Sequence, residues 1–320
     1  MKIKNILHHI DQFFFAPSSG KVLAFFRIAI AFFCLLKFWS LYNDLLNIFG
    51  SQGFVKGDVA AILLADFMPR LSWLSDMEAT LGISEVEAIY ASFFFFILVL
   101  ILLGVGFQTR LMAILALFIH LMFFNSGKMF MYGVDYFTTA ALFYSVIMPL
   151  GKFYSLDNYL RSKPQNPGTV PIFFMRILQM HLCLVYFFGG FAKTLGLHWW
   201  NGEAIWRAVS IPGFYQLDMN WLAAVPWLSV VLGWSVLVVE LGYPIFIWFR
   251  KTRPIFLFLV ACMHLGIGVA MGLHYFAALM ILLNVTAFGW PYLEAKFSVW
   301  HQQPALGQER KWNNVCSTER

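Results

Sequence analysis

Charge is what this chain lacks. Only 12% of its 320 residues are Asp, Glu, Lys or Arg, about half the usual ~25% of soluble domains. Acidic residues are the scarcer sign, 16 against 22 Lys and Arg, with a net charge of +6. The basic residues are spread through the chain instead of clustered, which argues against a nucleic-acid partner. Cysteine is scarce as well. Cys34, Cys183, Cys262 and Cys316 form no CxxC pair, so thiol redox chemistry and a disulfide framework have little to stand on. A cleavable signal peptide is missing too, because Met1 to Phe15 carries histidines and an aspartate where an apolar core belongs. The first apolar span is therefore expected to serve as the insertion signal. No internal repeat, low-complexity run or interdomain linker interrupts the chain.

Apolar surface is abundant instead. Hydrophobic residues make up 60% of the chain, with 36 Phe, 12 Trp and 12 Tyr. A soluble protein of this length cannot hide that much apolar surface, so the sequence predicts an all-α, polytopic membrane protein in the lipid bilayer. One transmembrane domain over residues 1–295 and a short polar tail over 296–320 are expected.

Eight segments are apolar enough to span: 22–43, 86–106, 109–125, 133–150, 170–191, 226–249, 254–272 and 274–290. With the N-terminus cytoplasmic, 14 Lys and Arg fall on the inner side and five (Lys56, Arg70, Lys128, Lys193 and Arg207) on the outer side. The outer loops carry most of the acidic residues. The positive-inside rule then places both termini in the cytoplasm. Two outer loops exceed what a connector needs. Within Leu45–Glu85, the apolar run Val59–Leu74 is broken by Asp66, Pro69 and Arg70 and is expected to lie as an interfacial helix. Thr194–Pro226 is rich in Trp (Trp199, Trp200, Trp206, Trp221), with Trp227 just beyond, and reads equally as an outer cover or as an aromatic belt at the headgroups.

The fifth span carries the main functional signal. Arg176, Gln179, Cys183, Tyr186, Gly190 and Lys193 recur at spacings of 3, 4, 3, 4 and 3, which keeps them on one face of a helix. Polar and charged groups inside a membrane point away from lipid. That face is either a structural polar seam or the lining of a ligand or reaction site. Ionisable groups recur at depth elsewhere: Glu240 four residues before Pro244, His264 among glycines, Arg27, and Asn284 beside them. Arg176 and Glu240 are expected to form a buried ion pair. His120, His198, His264 and His274 show no HxxH or HExxH spacing, so no metal is expected.

These residues carry a resemblance. Tyr186-Phe-Phe-Gly-Gly-Phe-Ala-Lys193, followed by Trp199, Trp200 and Gly202, resembles the core motif of the vitamin K-dependent γ-carboxylase superfamily, whose bacterial members are the HTTM (horizontally transferred transmembrane) proteins. The likeness extends over Arg27, Gly104 to Arg110, Asn125 to Asp135 with Tyr132-Gly133, Arg176, Gln179, Glu240 to Pro244 and His264. It implies an outward-facing site in a bacterial inner membrane that takes a reduced quinone, menaquinol or vitamin K-like. In the carboxylases the lysine after the Tyr-Phe motif removes a proton from the hydroquinone, and a peptide glutamate is carboxylated as a result. Carried over, the base is Lys193 and the seventh-span histidine is His264. Arg176, Gln179, Tyr186, Tyr132, Asp135, Asn125, Trp200 and Glu240 become candidates for binding substrate or cofactor. A lysine at the end of an apolar helix facing a dry pocket suits the role of a base. Ser126-Gly127-Lys128 stand where the carboxylases have Asn-Asn-His. A stand-alone chain of this kind is also similar to the sporulation-delaying protein B type, which acts with a small partner protein in maturing a secreted peptide toxin. The alternatives are therefore a quinol-dependent enzyme, a peptide-maturation factor and a non-catalytic membrane scaffold.

Overall fold

Apolar runs bounded by serine, glycine and proline become helices, and their ends show why. The computed structural model describes residues 2–55, 62, 64–65, 67–75, 82–161, 169–214 and 216–294. Among the described residues, an N-terminal helix α1 (Lys2–Phe15) precedes eight main elements: α2 (Lys21–Trp39), α3 (Glu85–Val105), α4 (Thr109–Ser126), α5 (Gly133–Ile147), α6 (Phe173–Thr194), α7 (Pro226–Phe246), α8 (Arg253–Met271) and α9 (His274–Asn284). The last of these runs on through a π-helical turn at Val285–Gly289. Ser84 and Glu87 open α3 with a capping box, and Gly106, at φ +77, closes it in the left-handed region. Gly272 does the same for α8, at φ +71. Prolines stand in the first turns of α7 and α8, where a missing N–H costs nothing.

Among the described residues, seven helices are long and apolar enough to cross a membrane: α2, α3, α4, α6, α7, α8 and His274–Glu294. The chain is a multi-pass membrane protein. Its expected fourth span is shorter than predicted. The helix α5 has 15 residues, about 22 Å at the α-helical rise, and it stops at Ile147 because the residue before Pro149 is driven out of the helical region. It still runs the length of the bundle, because Arg27 near the start of α2 hydrogen-bonds the carbonyls of Leu150, Phe153 and Tyr154 just beyond the end of α5.

Contacts at one end of the bundle fix the up-and-down order. Arg27 also reaches Gly104 O near the end of α3. Asp157 accepts from Gln108 N and Thr109 N at the start of α4. A two-residue strand β1 (Pro17–Ser18) pairs antiparallel with β2 (Val170–Pro171) just before α6. The Phe13 ring packs on Trp248 beyond α7, and Ser19 Oγ donates to Glu294 beyond α9. Eight antiparallel passes result, with α1 and Glu294 at the same end. Lys21, Arg110, Lys152, Arg161, Arg250 and Lys251, in loops or the first turns of helices, gather there, whereas Glu85, Glu203 and Asp218 lie in or beside loops at the opposite end. The sequence assigned loop charge to two sides in the same way. Of the interfacial helix expected within 59–74, residues 59–61, 63 and 66 lie outside the described residues, and the described ones include a short helix at Ser72–Ser75. The tail 296–320 lies outside them entirely.

Arg27 is fully buried, and among the described residues its guanidinium forms no ion pair. Four N–H groups on four backbone carbonyls satisfy it instead, and one of those carbonyls belongs to Tyr154, held at φ +44. A buried guanidinium persists only when its donors are met in this way.

Candidate functional site

The polar stripe of α6 faces inward. Gln179, Cys183, Tyr186 and Gly190 are buried, and Arg176 and Lys193 are half-buried. Leu184, Phe187, Phe188 and Phe191 on the other side are exposed, as a lipid-facing surface requires. His181, off the stripe, bonds the Tyr144 hydroxyl at 2.8 Å.

The two charged ends of the stripe have separate partners, which corrects the expected Arg176–Glu240 pair. Arg176 donates to Gln179 Oε1 at 2.8 Å and to Phe13 O at 3.0 Å, and it lies 4.2 Å from the Phe13 ring centroid. Gln179 in turn donates to Ala287 O at 2.5 Å. These two residues tie α1 and the end of α9 to the start of α6. The physical reason is distance: 17 residues of helix put Arg176 about 25 Å from Lys193. Glu240 is paired at the other end.

That partner is Lys193. Its Nζ donates to Glu240 Oε2 at 2.7 Å and to Oε1 at 3.0 Å. Close helix approach makes this possible. A Cβ on Gly190 would sit 2.9 Å from Glu240 Cβ, and α6 with α7 is the most extensive helix pair in the molecule. Pro244 has no N–H to give the Glu240 carbonyl, so α7 is locally loosened beneath the carboxylate. The side chain of Lys193 is 26% exposed and that of Glu240 11%. The pair is thus partly exposed at its lysine. The Trp199 ring centroid lies 5.4 Å from Nζ.

A polar chain runs inward from this pair. Tyr186 Oη lies 2.9 Å from His264 Nε2. Asn284 Nδ2 donates to Tyr186 Oη at 2.8 Å and to Met280 O at 2.8 Å, and Tyr243 Oη donates to Asn284 Oδ1 at 2.6 Å. All four residues are buried.

The remaining candidates fall elsewhere. Asp135 forms a buried ion pair with Lys37 of α2 and accepts Tyr132 N at 3.1 Å. Asn125 Nδ2 donates to Pro69 O at 2.8 Å, which holds a loop. Trp200 turns its Nε1 to Thr194 O at 2.8 Å and is largely exposed, so Trp199 and not Trp200 meets the lysine. Gly202, at φ +81, lets the Trp-rich segment press on α7, where a Cβ would be 2.5 Å from Val230 N. Sequence reasoning missed two partners, Lys37 and Tyr243, and named Asn284 only as a polar group at depth. Lys37 carried a signal, since an in-span lysine needs a counter-ion. Tyr243 stands three residues after Glu240, on the same helix face.

A cleft of about 1050 Å³ opens at the basic end, lined by Lys21, Phe153, Tyr154, Leu156 and Arg161 among others. It does not include Lys193. Among the described residues, no three His, Cys, Asp or Glu side chains converge on a metal position.

Comparison with known families places this geometry. The HTTM domain matches residues 15–290, and the chain belongs to the HTTM family, which relates it to the vitamin K-dependent carboxylase-like membrane proteins. No curated protein matches the chain significantly, and neither does any solved structure.

Proposed function

We propose, from HTTM membership and the Lys193–Glu240 pair, that this protein is a membrane-embedded enzyme acting on a reduced quinone, with Lys193 as the base. The observation that carries the reading is the double hydrogen bond of Lys193 to Glu240 at a partly open position. One proton lies within reach of both Nζ and the carboxylate. When it rests on Glu240, the amine has a free lone pair and can take a proton from a bound hydroxyl. A quinol, when bound, supplies an aromatic core with an acidic hydroxyl and reducing equivalents for modifying a peptide or small substrate. The donor set fits such a group: an amine–carboxylate pair beside the planar Trp199 ring, with the polar Tyr186–His264 pair inward of it. Trp199 limits water at the amine, and Glu240 holds Nζ in position. Following the positive-inside rule, the basic end faces the cytoplasm of a bacterial inner membrane and Lys193 opens outward.

Gentle purification followed by mass spectrometry should find a retained isoprenoid quinone. Lys193→Ala and Lys193→Arg should both insert normally and fail to consume quinol. Full quinol consumption by Lys193→Arg ends the reading. A cysteine at Asn201 should react with an impermeant thiol reagent in intact cells, and silence there inverts the orientation.

One observation favours a second reading, a maturation factor for a secreted peptide toxin without quinol chemistry. Ser126, in the position of the carboxylases' Asn-Asn-His segment, accepts Leu71 N at 2.8 Å and so holds a loop. Normal peptide maturation in a strain carrying only Lys193→Ala favours that reading over the first.

A further inference from the structure

We infer that His264 presents Nδ1–H as a ligand donor, fixed in that tautomer by Tyr243, Asn284 and Tyr186, and that it binds an acceptor oxygen of the molecule on which Lys193 acts. The ligand assignment rests on the quinol reading above; the tautomer assignment does not.

The direction of every bond in the chain follows from one carbonyl. Met280 O can only accept, so the Asn284 atom 2.8 Å away is the amide nitrogen. That same nitrogen lies 2.8 Å from Tyr186 Oη, which therefore accepts from it. The amide oxygen is then left to accept the Tyr243 hydroxyl, at 2.6 Å. Tyr186 has a single proton, and its remaining partner is His264 Nε2 at 2.9 Å. Nε2 accepts, and in a neutral imidazole the proton must then sit on Nδ1.

Nδ1 has no partner. His264 is only 3% exposed, and its Nδ1 is one of few buried side-chain polar atoms without a hydrogen bond. Buried donors are almost always satisfied, so an orphan calls for a missing acceptor. The ring packs against Phe276 at 5.4 Å between centroids, and the Lys193 charge is felt there. Aromatic walls, one neutral donor and a nearby amine suit a planar ligand with oxygen acceptors.

His120 makes the contrast. Its Nδ1 is also orphaned and buried. Thr139 Oγ1 donates to Asp135 O at 2.9 Å, so the proton between Thr139 and His120, 3.0 Å apart, comes from Nε2. That leaves His120 Nδ1 without a hydrogen to offer, packed among Phe38 and Phe124.

Tyr186, Asn284 and Tyr243 are thus positioning residues, and the test reads the tautomer itself. Histidine-15N-labelled protein in lipid nanodiscs, with His264 assigned by loss of its signals in His264→Gln, should show Nδ1 protonated and Nε2 bare. Adding 2-methyl-1,4-naphthoquinone should move the Nδ1 resonance. Tyr186→Phe should give a mixture of tautomers and weaken binding of that quinone in proportion to the fraction left in the Nδ1–H form, about twofold for an even mixture. A wild-type His264 protonated at Nε2 overturns the inference, as does a Tyr186→Phe protein with unchanged tautomer. Bound quinone with an unmoved Nδ1 signal overturns the inference and leaves the quinol reading standing. Absence of quinone binding in the wild type overturns both the quinol reading and the ligand assigned to Nδ1.

Discussion

Two lysine–carboxylate pairs lie within the helix bundle, and they differ in one respect. Lys37–Asp135 joins α2 to α5 with side chains 8% and 4% exposed. Lys193–Glu240 joins α6 to α7 with 26% and 11%. The first is sealed on all sides: Asp135 also accepts Tyr132 N, and Lys37 lies 5.3 Å from the Phe38 ring centroid. The second opens at its lysine end. A sealed pair can only hold helices together, because nothing reaches its proton. A pair with one side open can exchange its proton with a visitor. On the proposed reading, chemistry follows access and not charge, since both pairs have the same charge.

The largest expected effects test the sealed pair. Lys37→Ala or Asp135→Ala should each cost about 3–5 kcal/mol, because an unpaired charge stays buried. Replacing both with apolar residues of similar size should be far milder. Thermal unfolding in detergent measures both. If Lys193→Ala destabilises as much as Lys37→Ala, the distinction by access fails.

A second change acts on the open pair alone. Gly190→Ala puts a Cβ 2.9 Å from Glu240 Cβ and 3.1 Å from Leu241 Cγ, so α6 and α7 must move apart. Overpacking of this kind costs roughly 1–3 kcal/mol. It should lower quinol consumption out of proportion to stability, while the Lys37–Asp135 pair keeps its geometry. Unchanged consumption in a destabilised Gly190→Ala protein would detach the helix spacing from the site.

How these pairs read in the sequence depends on what fixes them. Span positions were legible, because runs such as Glu85–Val105 are apolar throughout and bounded by Ser84 and Gly106. The inward face of α6 was legible from spacing alone. Partner choice was not. Arg176 and Glu240 have opposite charge, but their separation along the bundle depends on how α6 and α7 are staggered. Only the close approach at Gly190 sets that stagger and gives Glu240 to Lys193. Lys37 and Asp135 lie 98 residues apart, and no local pattern links them. The choice between Trp199 and Trp200 turns on one step of a short helix, Leu197–Trp200, with a rotation of about 100°.

A third change, far from both pairs, is the control. Asp157 is partly buried, which favours its neutral form. Bonds from Thr109 N, Thr109 Oγ1 and Gln108 N outweigh that and hold its carboxyl below the usual value. A carboxylate lowered by folding stabilises above its unfolded pKa, and that contribution is lost as pH falls through the folded one. Asp157→Ala should remove the cap of α4 at a cost of about 1 kcal/mol and flatten the acid limb of the stability profile below pH ~4. An unaltered acid limb would remove Asp157 from this role. Quinol consumption at neutral pH should stay as in the wild type.

The smallest effect on stability is expected at the residue proposed as the base. Lys193→Arg keeps a cation opposite Glu240 at a half-exposed position, so its stability should stay within about 0.5 kcal/mol of the wild type. Arginine forms the same pair but does not release its proton near neutral pH. If Lys193 only anchors α6 at the headgroups, arginine serves equally well, because both side chains extend a charge toward water. If it is a base, the variant folds normally and consumes no quinol. Comparing Lys193→Arg with Lys37→Arg sharpens the contrast between the two pairs. The sealed site has no room for the larger guanidinium and should lose stability, whereas the open site should lose only its turnover. A Lys193→Arg protein that is both stable and active would make the open pair a structural tie like the other.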